Sequence, residues 1–304
     1  MINLINPQKM IWILCLVSIS SISAQTIING FFPKPKEFTI ATSYSYKSYD
    51  TFYMGTTLSE SNPMDMGEIS SSVASIYGAY GVVDWLSTVV TLPYISVQNE
   101  NGVLDPVSGT NQVDGVQDLS VFLKAKIMKK KFDNNSKLSI GGATGLTVPV
   151  GGYEAGGILS LGNGATAFDN CGFMQYTTAF NLFVEVQAAY SLRNNADFDI
   201  PNAAMYSAKL GYYNKWFYAH AKLGVQNSLD GFDIGSQEFV DAGGPAALPN
   251  TEVDYTNFYF DVYVPVYKNE SNSFGISSGY ASNIEGRNYD KASGVSVGLV
   301  YKIK

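Results

Sequence analysis

Apolar and polar residues alternate along most of this chain. The run Val-Ser-Val-Gly-Leu-Val-Tyr-Lys-Ile at 295–303 sets the pattern: Val295, Val297, Leu299, Tyr301 and Ile303 share one face, and Ser296, Gly298, Val300 and Lys302 the other. Side chains of a strand alternate sides, so this segment predicts a strand with one apolar and one mostly small or polar face. Twelve such strands are predicted, at 37–47, 68–80, 84–96, 116–128, 137–148, 166–179, 183–192, 205–213, 216–228, 253–266, 273–281 and 293–303. A tilted strand of about 9–11 residues crosses a bilayer, and each segment is near that length.

The gaps alternate too. Connections after even-numbered strands are short: 81–83, 129–136, the neighbourhood of Asn181, 214–215 and 267–272. Those after odd-numbered strands are mostly longer: 48–67, 97–115, 149–165, 193–204, 229–252 and 282–292. Outer-membrane barrels have tight periplasmic turns and long external loops. A last strand must also pair with the first to leave no edge in lipid. The pattern therefore predicts an all-β, transmembrane, antiparallel up-and-down barrel over 37–304, with both termini in the periplasm. Aromatic pairs flank four of the short turns: Tyr80 and Trp85, Phe180 and Phe183, Tyr213 and Trp216, Tyr267 and Phe274. They read as a belt at the membrane–water boundary, although aromatics favour strands in any case.

The amino terminus carries an export signal. Lys9 precedes an uncharged run from Met10 to Val17, and Ser18–Ala24 supplies small residues for cleavage after Ala24. The apolar core is too short to span a bilayer as a helix and marks residues 1–24 as a secretory signal peptide. Cys15 follows Trp-Ile-Leu rather than small residues, which argues against a lipid anchor. Residues 25–36 are then a short periplasmic segment ahead of the barrel, with Phe31-Phe32-Pro33 placed to fold into its mouth. Cleavage leaves one cysteine, Cys171, so no intramolecular disulfide can form.

Lys9 is the only charge in the first 24 residues; 18 basic and 26 acidic residues remain, a net of −8. Nucleic acid would demand clustered Lys and Arg, and is excluded as a partner. With the apolar face toward lipid, the opposite face names the lumen: Asp118, Ser120, Lys124 and Lys126; Glu185 and Gln187; Lys209; Tyr218, His220 and Lys222; Tyr259, Asp261 and Tyr263; and Lys302. Two readings of these groups stay open. They pair across a narrow closed interior, or they line a wet channel that selects by charge and aromatic contact.

Three stretches carry a family resemblance. Val83-Asp84-Trp85-Leu86 running to Thr91-Leu92-Pro93-Tyr94, Gly115-Val116-Gln117-Asp118-Leu119 with Leu123-Lys124-Ala125-Lys126, and Gly145-Leu146-Thr147-Val148-Pro149-Val150-Gly151 resemble outer-membrane barrels of the meta-pathway phenol-degradation family. Ala125 stands where that family usually has an aromatic. The resemblance implies an outer-membrane channel, related to long-chain fatty-acid transporters, that admits hydrophobic or aromatic compounds. It brings no catalytic residues. The alternative is a non-transporting barrel acting through its external loops as anchor, adhesin or assembly partner.

Chemistry of other kinds has little to stand on. His220 is the single histidine and is followed by Ala-Lys-Leu, unlike the His-x-Ser-Asn-Gly of an outer-membrane phospholipase. No Ser–His base pair, metal-ligand cluster or phosphate loop can be assembled, so no enzyme activity, metal or cofactor is expected. Loop 149–165 is apolar for an exposed segment, and Ile158, Leu159 and Leu161 are expected to form a constriction that contacts a hydrophobic solute. The expected partners are outer-membrane lipid, a small-molecule solute and, during insertion, the barrel-assembly machinery; the expected state is a monomer.

Overall fold

The computed structural model describes residues 28–304, so the signal-peptide reading of 1–24 lies outside the described residues. Twelve strands form the wall: β1 (Phe38–Tyr49), β2 (Ile69–Val83), β3 (Leu86–Asn99), β4 (Asp118–Lys131), β5 (Lys137–Pro149), β6 (Thr166–Thr177), β7 (Leu182–Asn194), β8 (Ala203–Tyr213), β9 (Tyr218–Ser228), β10 (Asp254–Lys268), β11 (Asn272–Arg287) and β12 (Ser293–Ile303). Every neighbouring pair is antiparallel, and β1 closes the barrel against β12, with Phe38 opposite Ile303 and Ser48 opposite Ser293. A short strand, Gln112–Val116, extends β4 along β3 beyond a break at Gln117. The barrel therefore has no free edge to expose to lipid.

The outer face is the apolar one. Val121, Leu123 and Ile127 on β4, Val184 and Val186 on β7, and Val297 and Leu299 on β12 are all exposed. The inner face carries Lys124, Asp169, Glu185, Lys209 and Lys222, each buried. This is the reverse of a water-soluble barrel and the arrangement that a hydrocarbon surround stabilises.

Turns at one end are tight: two residues between β2 and β3, three between β10 and β11. At the other end loops 50–68, 150–165 and 229–253 fold over the rim, and a small sheet of Phe52–Met54, Thr57–Ser59 and Tyr289–Asp290 ties the first loop to the last. One loop is shorter than its sequence suggests. The alternation in 282–287 is blurred, yet β11 continues to Arg287 through a bulge opposite Thr256 and Asn257, leaving only 288–292 as the connection.

Candidate channel interior

The interior begins with residues 28–33, which have no periodicity and form no strand, yet dock on the inner wall. Glu185, on β7, organises the contact. Its carboxylate accepts from the Gly30 backbone N–H at 2.7 Å, from Lys209 Nζ on β8 at 2.7 Å and from Gln187 Nε2 at 2.6 Å. Lys209 sits directly opposite Glu185 across the β7–β8 ladder, so the strand register itself makes the ion pair. Gln187 also donates to the Ile28 carbonyl at 2.9 Å, and Lys124 Nζ to the Phe31 carbonyl at 2.5 Å. A segment with no sheet partners thus satisfies its backbone on wall side chains.

The side chains of this segment complete the seal. Phe31 packs edge-on against Phe183, Tyr213 and Tyr218 with ring centroids 5.2–5.9 Å apart. Phe32 lies under Lys124 and Lys126, at 4.2 and 4.6 Å from its ring centre. Ile28 joins Phe122, Phe173, Ala143, Cys171, Val89 and Ala79 in an apolar cluster within the barrel. Gly30 lets the segment sit close: a Cβ there would lie 2.5 Å from a Glu185 oxygen and 2.4 Å from Gln175 Oε1, and both side-chain ends would have to move.

Two aromatics assigned above to the membrane belt belong here instead. Phe183 is 1% exposed and Tyr213 faces the cavity described below, because each shares strand parity with an inward residue, Glu185 and Lys209 respectively. Trp85, Phe180, Trp216 and Tyr267 do stand exposed at the short-turn end. Phe122 and Phe173, also inward, were not singled out from the sequence. Their parity with Lys124 and Cys171 was the available signal.

On the other side of residues 29–33 a cavity of about 770 Å³ remains open. Tyr218, His220, Lys222, Tyr259, Asp261 and Tyr263 line it from β9 and β10, and Lys302 from β12. His220 Nε2 lies 3.4 Å from Asp261, its cross-strand partner. Lys222 is opposite Tyr259, with its ammonium 3.9 Å from the ring centre. Lys124 and Lys126 stand with the sealing segment, and Asp118 lies further toward the long loops, accepting from Tyr153 at 2.5 Å.

At that end Leu159 and Leu161 bury themselves against Met66, Ile69 and Val97, with Ile158 packed beside them. Ile69 and Val97 are on the inner faces of β2 and β3, so the loop does fold inward. Leu159 and Leu161 are covered by the wall, however, 2% and 5% exposed, and offer no free surface to a solute. Asp105 fixes this fold by accepting from Ile158 and Leu159 on one oxygen, at 2.5 and 2.8 Å, and from Val107 and Ser108 on the other, at 2.8 and 3.1 Å.

A second clasp joins the remaining loops. Arg287 binds Asp233 through two hydrogen bonds of 2.7 and 2.8 Å and reaches Glu252 at 2.5 Å. Asn288 donates to Asp233 Oδ1 and accepts from Gly55 and Ile234 N–H groups. The Arg287 guanidinium holds the Asp233 carboxyl below its ordinary pKa, whereas burial raises that of Glu252. No group of metal-ligating residues occurs among the described residues.

Comparison with one solved structure gives the same fold. An outer membrane channel from Pseudomonas putida F1 superposes with a TM-score of 0.63 at 17% identity, covering 93% of this chain and 99% of that one. The transport unit of the autotransporter AIDA-I from Escherichia coli gives a TM-score of 0.44 at 9% identity over 89% of this chain and 91% of its own. Pseudomonas aeruginosa OprD gives 0.40 at 8% identity over 93% and 99%. No family model and no curated protein matches. This chain is a closed, antiparallel, twelve-strand β-barrel of the outer-membrane type.

Proposed function

We propose that the chain is an outer-membrane channel for small solutes, exported through a cleaved signal peptide and held narrow by its own residues 28–33. The single observation that carries this reading is the cavity of about 770 Å³ inside a barrel with an apolar exterior. A structural anchor gains nothing from keeping such a space open, since filled interiors pack more favourably. The aromatic lining favours hydrophobic or aromatic solutes, in keeping with the family that the sequence resembles. The likeness to the Pseudomonas putida channel supports the same class of activity. Nothing in this arrangement calls for an enzyme.

The test is planar-bilayer conductance of the refolded, heat-modifiable full chain. Discrete openings that small aromatic solutes block support the channel. A silent bilayer with a correctly folded barrel overturns it, and turns attention to the long loops as an adhesive or docking surface.

A further inference from the structure

The interior does not satisfy its charges evenly. Lys209 has Glu185, and Lys124 has the Phe31 carbonyl. Lys222 is 5% exposed and faces the cavity, yet has neither a hydrogen bond nor an ion pair among the described residues. Its one neighbour of note is the Tyr259 ring. A buried ammonium resting on a cation–π contact alone lacks the counter-charge that normally offsets its desolvation. Two further polar atoms at the same cavity are orphaned, the Tyr263 hydroxyl and His220 Nδ1.

The remaining charges do not cancel this. Asp261 faces His220, Glu37 lies beside the cavity at the start of the barrel, and Lys302 makes no ion pair. Lys302 is only half-buried, so burial without a partner, rather than net charge, singles out Lys222. The cavity it faces is walled by rings: Phe31, Tyr77, Tyr213, Tyr218 and Tyr259. The volume lies within the about 300–1,000 Å³ of ordinary ligand pockets, which are mostly apolar with a few converging polar groups.

We infer that this cavity binds a small aromatic carboxylate, its carboxylate on Lys222 and its ring among the aromatic walls. A monoanion suits the one buried ammonium that lacks a partner. The inference rests on the channel reading for its biological setting but not for its chemistry, and it makes Lys222 the residue that selects an acid over a neutral aromatic of the same size.

Titration calorimetry on the full folded chain in detergent micelles tests it, with sodium benzoate, benzyl alcohol and sodium acetate as probes. Benzoate should bind about tenfold or more tightly than either of the others, as a charge-assisted bond plus ring contact requires. Lys222→Met should lose about tenfold in benzoate affinity, and Lys222→Arg, which keeps the charge, should lose less. Equal affinity for benzoate and benzyl alcohol, or no loss in Lys222→Met, overturns the inference. If Lys222→Met does not give a heat-modifiable barrel, the comparison of probes on the native chain decides alone. Conductance separates the two readings. A conducting channel indifferent to benzoate sinks this inference and leaves transport standing, and a silent barrel that binds benzoate does the opposite.

Discussion

The two halves of the interior are built on opposite terms. Along β4 to β8 the wall is closed: Phe122, Phe173 and Cys171 meet Ile28, and Glu185 accepts hydrogen bonds from Gly30, Lys209 and Gln187. Along β9 to β12 the wall carries similar residue types, Lys222, Lys302, Tyr259 and Tyr263, yet faces open space with groups left unpartnered. Charge inside a barrel is thus not informative in itself. Whether it is already paired tells structure from binding, because an unpaired buried charge persists only where something, water or solute, comes to meet it.

The largest effect should follow from breaking the closed half. Deleting residues 28–33 removes Phe31, Phe32 and the backbone groups held by Glu185, Gln187 and Lys124, and should raise single-channel conductance several-fold. Gly30→Val is the length-preserving version, since its Cβ meets Glu185 and Gln175 at 2.5 Å and closer. Conductance unchanged in both would show that the segment does not limit the bore.

The next effect is on stability. Glu185→Gln leaves Lys209 buried beside a neutral partner; the pair is 1% and 5% exposed, so the loss should be about 3 kcal/mol, read as a lower urea midpoint of the heat-modifiable band. Lys222→Met, removing a charge that supports no partner, should leave the midpoint unchanged or raise it. A matching drop in both variants would erase the distinction between the halves.

Parity made much of this legible. The period-two pattern separated Val184 and Val186 from Glu185, and set the β12 face that meets β1, because a one-residue slip would put the whole apolar set in the lumen. The same rule would have placed Phe183 and Tyr213 inside, had their nearness to short turns not argued for the belt. What lay beyond reach was the docking of 28–33. That segment has no repeat, and its contacts with Glu185 and Gln187 span more than 150 residues of sequence. The covering of Leu159 and Leu161 was hidden likewise, since it depends on Asp105, a loop residue 53 and 54 positions from the N–H groups it holds.

That carboxylate gives a smaller, more local prediction. Asp105→Ala strips four N–H groups of their acceptor at a site 1% exposed. About 2 kcal/mol of loop ordering should go, enough for chymotrypsin to cut 150–165 at least about tenfold faster while the barrel itself stays intact. If cutting is no faster, the leucine cluster alone holds the loop.

The smallest effect concerns pH at the rim, where the clasp of Arg287 is partly solvated and screened. Asp233 is held below its ordinary carboxylate pKa chiefly by the Arg287 hydrogen bonds, so its contribution is present above the unfolded value of about 4 and is lost as pH falls through the lower, folded value. Glu252 works in the opposite sense. Burial raises its pKa in spite of Arg287, so protonating it first relieves a cost and does not open the clasp. Hydrogen exchange in 229–253 should therefore hold steady, after correction for intrinsic rates, from neutral pH to about 4 and rise below that. In Asp233→Asn, which forfeits the bidentate pair, protection at neutral pH should already be at the level the native chain reaches below the step, and the acid step should vanish. Persistence of the step in that variant would move the titrating group elsewhere in the loops. The inner comparison would survive, since neither half of the lumen depends on this clasp for its pairing.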